Sequence, residues 1–472
     1  MSGRLGRGGM ATSRRSVMRA LPWVLGGLAV GRGAAYAETG EVGPAAAGAP
    51  SSTAAAFPLA VKRGKRYLVD ATGSPFLIHG DTAWSLIAQL TREEVELYLA
   101  DRQARGFNTI LVSLIEHHYS TNPPANAYRQ QPFLEPGNYA TPNEAYFAHA
   151  DWAVRRAAEN GLLVLLTPSY VGCCGDGWYE EMVANGPDRL RQYGEYLGRR
   201  YRDFTNILWV HGGDANPPRK DLVRAMAEGI RKLDPQALHT AHGDHTSALD
   251  YWPGEPWLQV NNVYTYRPVH SRALEQYARP ERMPFFLLES IYENEREATE
   301  QRLRTQAYQA VLSGAAGQVF GNNPIWYFDG RGISRYPAPV TWQEALGSRG
   351  AQSMTHLRTL LMAVRWWQLR PGRKKPLLID GLGPEEDRAV AARSADRTFA
   401  ILYLPSSREV TLDLGTLAGP SVRARWYDPA NGEFHAIGGS PFEATGSRRL
   451  LPAPATNSSG FDDWVLVLDS MS

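Results

Sequence analysis

Cysteine is almost missing from this chain: 472 residues hold two, Cys173 and Cys174, and they are adjacent. Neighbouring Cα atoms lie only about 3.8 Å apart across a trans peptide, closer than an ordinary disulfide allows. A framework of bridges is therefore excluded, and the pair is either two thiols or a vicinal bridge stiffening its loop. An excess of charge is missing too. Fifty Lys and Arg against 48 Asp and Glu leave a formal charge of +2, with signs mixed along the chain, so the composition gives no basic footprint for nucleic acid. The apolar run over residues 20–30 is too short for the roughly 20 residues that span a bilayer. Aromatic residues are plentiful, with 13 Trp and 22 Tyr. Most will pack in cores, but some offer ring faces suited to the apolar face of a sugar.

Residues 1–37 read as an export signal rather than as part of the fold. Paired arginines in Ser13-Arg14-Arg15-Ser16 precede the apolar run, and Ala35-Tyr36-Ala37 supplies the small residues of a cleavage site, the pattern of a twin-arginine-type signal peptide. A periplasmic or extracellular protein is expected, with no stable membrane insertion after signal cleavage. Residues 38–57, rich in Ala, Gly, Pro and Ser, are expected to form a disordered linker.

The remaining residues, about 415, exceed what one core usually holds, so two domains are expected. From 58 to 370, apolar runs of strand length alternate with helical patterns. Strands are expected at 75–81, 109–115, 162–170, 206–214, 237–243, 257–264, 284–290 and 317–323. Thr91 with Glu94 forms a capping box, and Gly106 can close that helix. Thr141, Pro142 and Glu144 suggest a second start, with Thr141 as N-cap. Further helices are expected over 187–202, 217–233 and 296–313. Eight strands in this alternation predict a (β/α)8 TIM barrel. Residues 375–472 change character, with short alternating strands at 399–404, 410–414, 423–427 and 464–468 and a hairpin turn at Pro429-Ala430-Asn431-Gly432. That predicts a small all-β sandwich packed on the barrel.

In such a barrel the chemistry sits at the carboxyl ends of the strands. Asn206-Ile207-Leu208-Trp209-Val210-His211-Gly212-Gly213-Asp214 is a buried-strand run that ends in two glycines and a carboxylate. Met283-Pro284-Phe285-Phe286-Leu287-Leu288-Glu289 ends in another, and an idle buried Glu is costly. Two carboxylates delivered to one cavity are what glycosidic cleavage needs. Asp214 and Glu289 are the catalytic candidates. Asp81, Trp84, His117, Tyr170, His211, Asn216, Asn262, Tyr264, Tyr266 and Trp326 follow or end strands and are candidates to bind substrate. This chemistry calls for no cofactor and no metal. Asp214 read alone could instead cap the following helix.

At these residues the chain also resembles a known family. Gly80-Asp81-Thr82-Ala83-Trp84, Gly106-Phe107-Asn108-Thr109, Gly212-Gly213-Asp214-Ala215-Asn216 and Leu288-Glu289-Ser290-Ile291-Tyr292-Glu293 are similar to the apiosidase-like glycoside hydrolases, over about residues 57–370. The resemblance implies a (β/α)8 barrel with Asp214 as acid/base and Glu289 as nucleophile, followed by a collagen-binding-like β domain. The expected enzyme is retaining and exo-acting on a pentofuranose-type, apiose-like or related side-chain sugar of a polysaccharide. Retention requires the two carboxylates about 5–5.5 Å apart, and the acid, Asp214, is expected to carry the raised pKa. Two other classes remain open at this stage. His239, His242 and His245 could hold a metal ion in a metal-dependent hydrolase, and the chain could bind sugar without cutting it.

Overall fold

The computed structural model describes residues 55–173, 175–330, 337–372, 375–444, 448–452 and 454–472. The expected signal peptide, most of the expected linker and Cys174 lie outside the described residues. The last three residues of the expected linker are not loose. Ala56 accepts a backbone hydrogen bond from Ala71, and the Phe57 ring packs against Phe76.

Eight strands, β1 (Ile78–Thr82), β2 (Thr109–Ser113), β3 (Leu163–Thr167), β4 (Ile207–Gly212), β5 (Leu238–His242), β6 (Asn261–Tyr264), β7 (Phe285–Glu289) and β8 (Gly317–Phe320), form one sheet. Its order is β5-β4-β3-β2-β1-β8-β7-β6, parallel throughout. The ring closes between β5 and β6, where the backbone N–H groups of Gln259 and Val260 donate to the His239 carbonyl and the Asn262 amide donates to that of Ala241.

Successive side chains of a strand point to opposite faces, and here both faces are buried. Leu163, Leu165, Leu208, Val210, Phe286 and Leu288 fill the barrel interior. Val164, Leu166 and Trp209, their neighbours in sequence, face the helices. This parity decides which polar residues can reach the barrel mouth.

The helix layer comprises α1 (Arg92–Ala104), α2 (Glu144–Glu159), α3 (Tyr179–Tyr201), α4 (Lys220–Leu233), α5 (Val269–Ala278), α6 (Glu300–Leu312) and α7 (Arg349–Met362). Helix α1 carries both bonds of the Thr91–Glu94 capping box, and Gly106 takes a left-handed φ of 85°. Helix α2 starts differently from expectation: Asn143 is its cap, because the Thr141 hydroxyl is already engaged by the Glu135 N–H. Helix α3 begins earlier than expected and kinks at Gly186, ahead of Pro187. Helix α4 begins at Lys220, six residues after Asp214, so Asp214 does not cap it.

The C-terminal part is antiparallel. Strands β9 (Leu369–Pro371), β11 (Val390–Ser394), β12 (Phe399–Leu404), β14 (Ser421–Tyr427), β15 (Phe434–Ala436) and β18 (Trp464–Met471) belong to one sheet, in which β16 (Phe442–Glu443) pairs with β14. A second sheet holds β10 (Leu378–Asp380), β13 (Glu409–Asp413) and β17 (Arg448–Pro452). Leu402, Leu404, Val410, Leu412, Leu466 and Leu468 share the core of this domain. Its other face packs on the barrel through α6. Tyr308 and Tyr403 stack with ring centres 4.6 Å apart, and Arg304 forms an ion pair with Asp463 in which neither side chain is exposed.

Candidate active site

The carboxyl ends of the barrel strands enclose a cavity of about 630 Å³ that Asp214 and Glu289 both line, a volume in the range of small-ligand sites. Local backbone conformation delivers each carboxylate. Gly212, Gly213 and Asp214 have positive φ values of 93°, 140° and 45° in succession. A Cβ on Gly213 would stand 2.3 Å from the Tyr170 ring, so only glycine lets the chain turn there. Asp214 is a non-glycine residue in the left-handed region, a strain that clusters at functional sites. Glu289 arrives by another device. The register of β7 against β6 shifts between Leu287 and Glu289, and this irregularity puts Glu289 on the inner side as well as Leu288.

His242, at the end of β5, joins the two. Its Nδ1 accepts the backbone N–H of Asp214 at 2.7 Å, and its Nε2 lies 2.7 Å from Oε2 of Glu289. A nitrogen that accepts an N–H holds a lone pair, so the ring proton sits on Nε2 and is donated to Glu289. The Tyr266 hydroxyl donates to the other oxygen, Oε1, at 3.2 Å, and Tyr264 donates in turn to Tyr266. Both oxygens of Glu289 therefore face donors, the surroundings of an ionised carboxylate.

Ligand atoms of Asp214, His242 and Glu289 all lie within 4.8 Å of one another. Burial, and then the nearby Asp214 carboxylate, push the Glu289 pKa up, against the hydrogen bonds from His242 and Tyr266. Glu289 is the more deeply buried of the two, its side chain 6% exposed where that of Asp214 is 33% exposed.

Six of the expected substrate-binding residues line the cavity: Trp84, Tyr170, Asn216, Tyr264, Tyr266 and Trp326. Trp84 donates to the Tyr292 hydroxyl and meets Tyr170 edge to face, and Tyr264 stacks between His242 and His245. Asn216 Oδ1 accepts from the backbone of Asp244, tying the loop after β4 to that after β5.

Four others lie elsewhere, and strand parity or hydrogen bonding explains each. Asp81 faces the helices, where it pairs with fully buried Arg102 and accepts from Tyr98. His211 also faces outward, stacked on His239 with Nε2 2.8 Å from Nδ1 of that ring. Asn262 is turned inward but below the cavity, its amide spent on Thr240 and Ala241. His117 packs on the Trp178 ring and bonds Glu181.

The three histidines offered as metal ligands are also dispersed. His239 is committed to His211, and His245 bonds Asp244. The set that does converge, Asp214, His242 and Glu289, has a proton on the one imidazole nitrogen that faces both carboxylates, where a metal would need a lone pair.

Several lining residues were absent from the binding candidates. Glu116 takes three backbone N–H groups, of His117, His118 and Tyr119, on one oxygen and the Ser85 hydroxyl on the other, so it shapes the loop after β2. Glu295 accepts from the Trp326 indole at 3.1 Å, and burial raises its pKa to about 7, helped by Glu289 and Asp214. Arg296 places its guanidinium 4.5 Å from the centre of the Tyr266 ring. Cys173 is also in the lining. The pair Glu295-Arg296, immediately beyond β7, was the available sequence signal.

The model of the apiosidase-like catalytic domain matches residues 62–368. The chain belongs to the apiosidase-like family. A second model, described as “Putative collagen-binding domain of a collagenase”, matches residues 374–469. A solved structure titled glycoside hydrolase is 25% identical with a TM-score of 0.77, over 88% of this chain and 97% of that one. Another, a glycoside hydrolase family 5 from Bacteroides vulgatus ATCC 8482, shares the fold with a TM-score of 0.76 at 23% identity, over 88% of this chain and 94% of that one. No curated protein matches in sequence. This apiosidase-like protein is a glycoside hydrolase, and a carbohydrate is its substrate.

Proposed function

We propose that the chain is an exported, retaining, exo-acting glycosidase in which Glu289 is the nucleophile and Asp214 the acid/base. The observation that carries this reading is the convergence of Asp214, His242 and Glu289 within 4.8 Å, with both oxygens of Glu289 facing donors. In the first step an oxygen of Glu289 attacks the anomeric carbon while Asp214 protonates the departing glycosidic oxygen. A glycosyl ester forms on Glu289 and the aglycone leaves as an alcohol. In the second step Asp214 takes a proton from water, the water oxygen displaces Glu289 from the anomeric carbon, and configuration is retained overall. Donors on both oxygens of Glu289 favour its ionised form, the form that attacks the anomeric carbon.

The substrate proposed is a pentofuranose-type, apiose-like or related side-chain sugar of a polysaccharide. A cavity ringed by Trp84, Tyr170, Tyr264 and Trp326 offers ring faces to a terminal sugar. A panel of aryl glycosides that includes furanosides tests this. Turnover of a furanoside, abolished in Glu289→Ala but retained in Asp214→Ala on substrates with good leaving groups, is expected. Turnover of pyranosides alone would overturn the sugar assignment, and full activity in Glu289→Ala would overturn the catalytic one. Export rests on Arg14-Arg15 and the segment after it. Replacing both arginines with lysine is expected to hold the precursor inside the cell, and unaltered export would contradict the signal.

A further inference from the structure

Two hollows adjoin on the side of the molecule away from the catalytic cavity. One, of about 480 Å³, is bounded by Gly64-Lys65-Arg66-Tyr67, which precede β1, and by the turn from Ala278 to Arg282, which precedes β7. Elements that enter strands lie at the amino-terminal face of a barrel, opposite the chemistry. The other hollow, of about 680 Å³, lies where the barrel runs into the β domain and is lined by Arg370, Lys375 and Arg393 among others. Tyr277 and Arg370 belong to both, and no residue of either lines the catalytic cavity.

The charge of this double groove is one-sided. Seven Lys and Arg residues line it and, among the described residues, no Asp or Glu does. The whole chain carries a formal charge of only +2, so this is a local concentration of cations. Arg279 has a carboxylate partner in Asp250. Arg370 donates instead to the carbonyls of Trp367 and Leu369, and Arg393 to that of Thr416. Carbonyl partners hold a guanidinium in place without cancelling its charge. Burial, and then the adjacent Arg397, push the Arg393 pKa down against the opposing charge of Asp413. Lys65, Arg282, Arg370 and Lys375 are exposed.

We propose that this groove is a second, non-catalytic binding surface that docks an anionic polysaccharide, one bearing carboxylate or sulfate groups. Preset guanidinium groups flanked by exposed cations suit repeated anionic groups along a chain. A nucleic acid fits less well. Single strands ask for ring faces on which bases can stack, but Tyr277 is covered on one side by Arg66, 4.3 Å from its centre, and packs against Gly314, where a Cβ would come within 2.2 Å of it. Docking here would hold the cavity at the far end of the barrel near side chains of the same polymer, raising their effective concentration.

The experiment is affinity electrophoresis and calorimetry of the mature full-length chain with polygalacturonate, dextran sulfate, neutral dextran and duplex DNA, at low and moderate salt. At least one anionic glycan should bind, at least about tenfold more weakly at the higher salt, and the carboxylate and sulfate arms show which group is recognised. Neutral dextran should not bind. The double variant Lys65→Glu/Arg282→Glu alters two exposed positions and should weaken binding about tenfold or more, with unchanged thermal unfolding and unchanged turnover of small aryl glycosides. Binding is measured in Glu289→Gln as well, so that failure of the catalytic reading leaves this readout intact. No binding to either anionic glycan, binding that the double variant retains, or equal binding to duplex DNA would overturn the proposal.

Discussion

Replacing Asp214 with Asn removes a negative charge from beside Glu289 while keeping the size of the side chain, and the structure sets both the direction and the scale of the result. Their closest atoms lie within 4.8 Å. At an effective dielectric of about 20, unit charges at that distance interact by roughly 3 kcal/mol. Asp214 is a third exposed, and solvent screening reduces this to about 1–2 kcal/mol, or about one pH unit. In the native chain burial and Asp214 raise the Glu289 pKa above 4.5. Its ionisation, and with it the acidic limb of kcat/KM, is therefore expected above pH 4.5. In Asp214→Asn that limb should move about one unit toward acid, because the charge that opposed ionisation is gone. A pH–rate profile with a 4-nitrophenyl glycoside, whose leaving group needs little protonation, reads this limb without a demand for the acid. An acidic limb that stays in place or moves toward alkali would refute the pairing of these groups.

The remaining expectations concern the relay, metal dependence and the domain seam. His242→Ala should lower kcat about 10- to 100-fold with little change in KM, since it removes a donor to a charged carboxylate. It should also move the acidic limb toward alkali, opposite to Asp214→Asn, which pH–rate profiles of the two variants compare directly. Overnight dialysis against EDTA should leave the initial rate unchanged, because His242 Nε2 carries a proton toward Glu289; a loss restored by a divalent cation would overturn that tautomer. Asp463→Ala should cost about 3–5 kcal/mol in denaturant unfolding, since it leaves Arg304 buried without its carboxylate; a cost under about 1 kcal/mol would show the seam to be held by apolar packing alone.

The barrel was legible because its strands are short apolar runs buried on both faces, and each of the eight expected segments overlaps one. Helix starts were legible where a hydroxyl had no competing partner, as at Thr91, and misplaced where it had one, as at Thr141. Asp214 and Glu289 could be singled out because each carboxylate terminates an apolar run. The errors at Asp81 and His211 share one cause. Position relative to a strand end was counted but side-chain parity was not, and a residue one step from an inward neighbour faces the helices. Asn262 has the right parity but sits too deep. The shift that places Glu289 in the cavity leaves no mark in the residue types of β7. The partners of His242 were hidden as well, since they come from β4 and β7 and meet only when the ring closes.

The retaining mechanism is tested most directly by the configuration of the first product. A proton-NMR time course on an aryl glycoside turned over by the enzyme resolves the anomeric signals before mutarotation mixes them. With Asp214 and Glu289 as close as they stand here, the first product should have the anomeric configuration of the substrate. The opposite anomer appearing first would mean that a water, not Glu289, attacks the anomeric carbon.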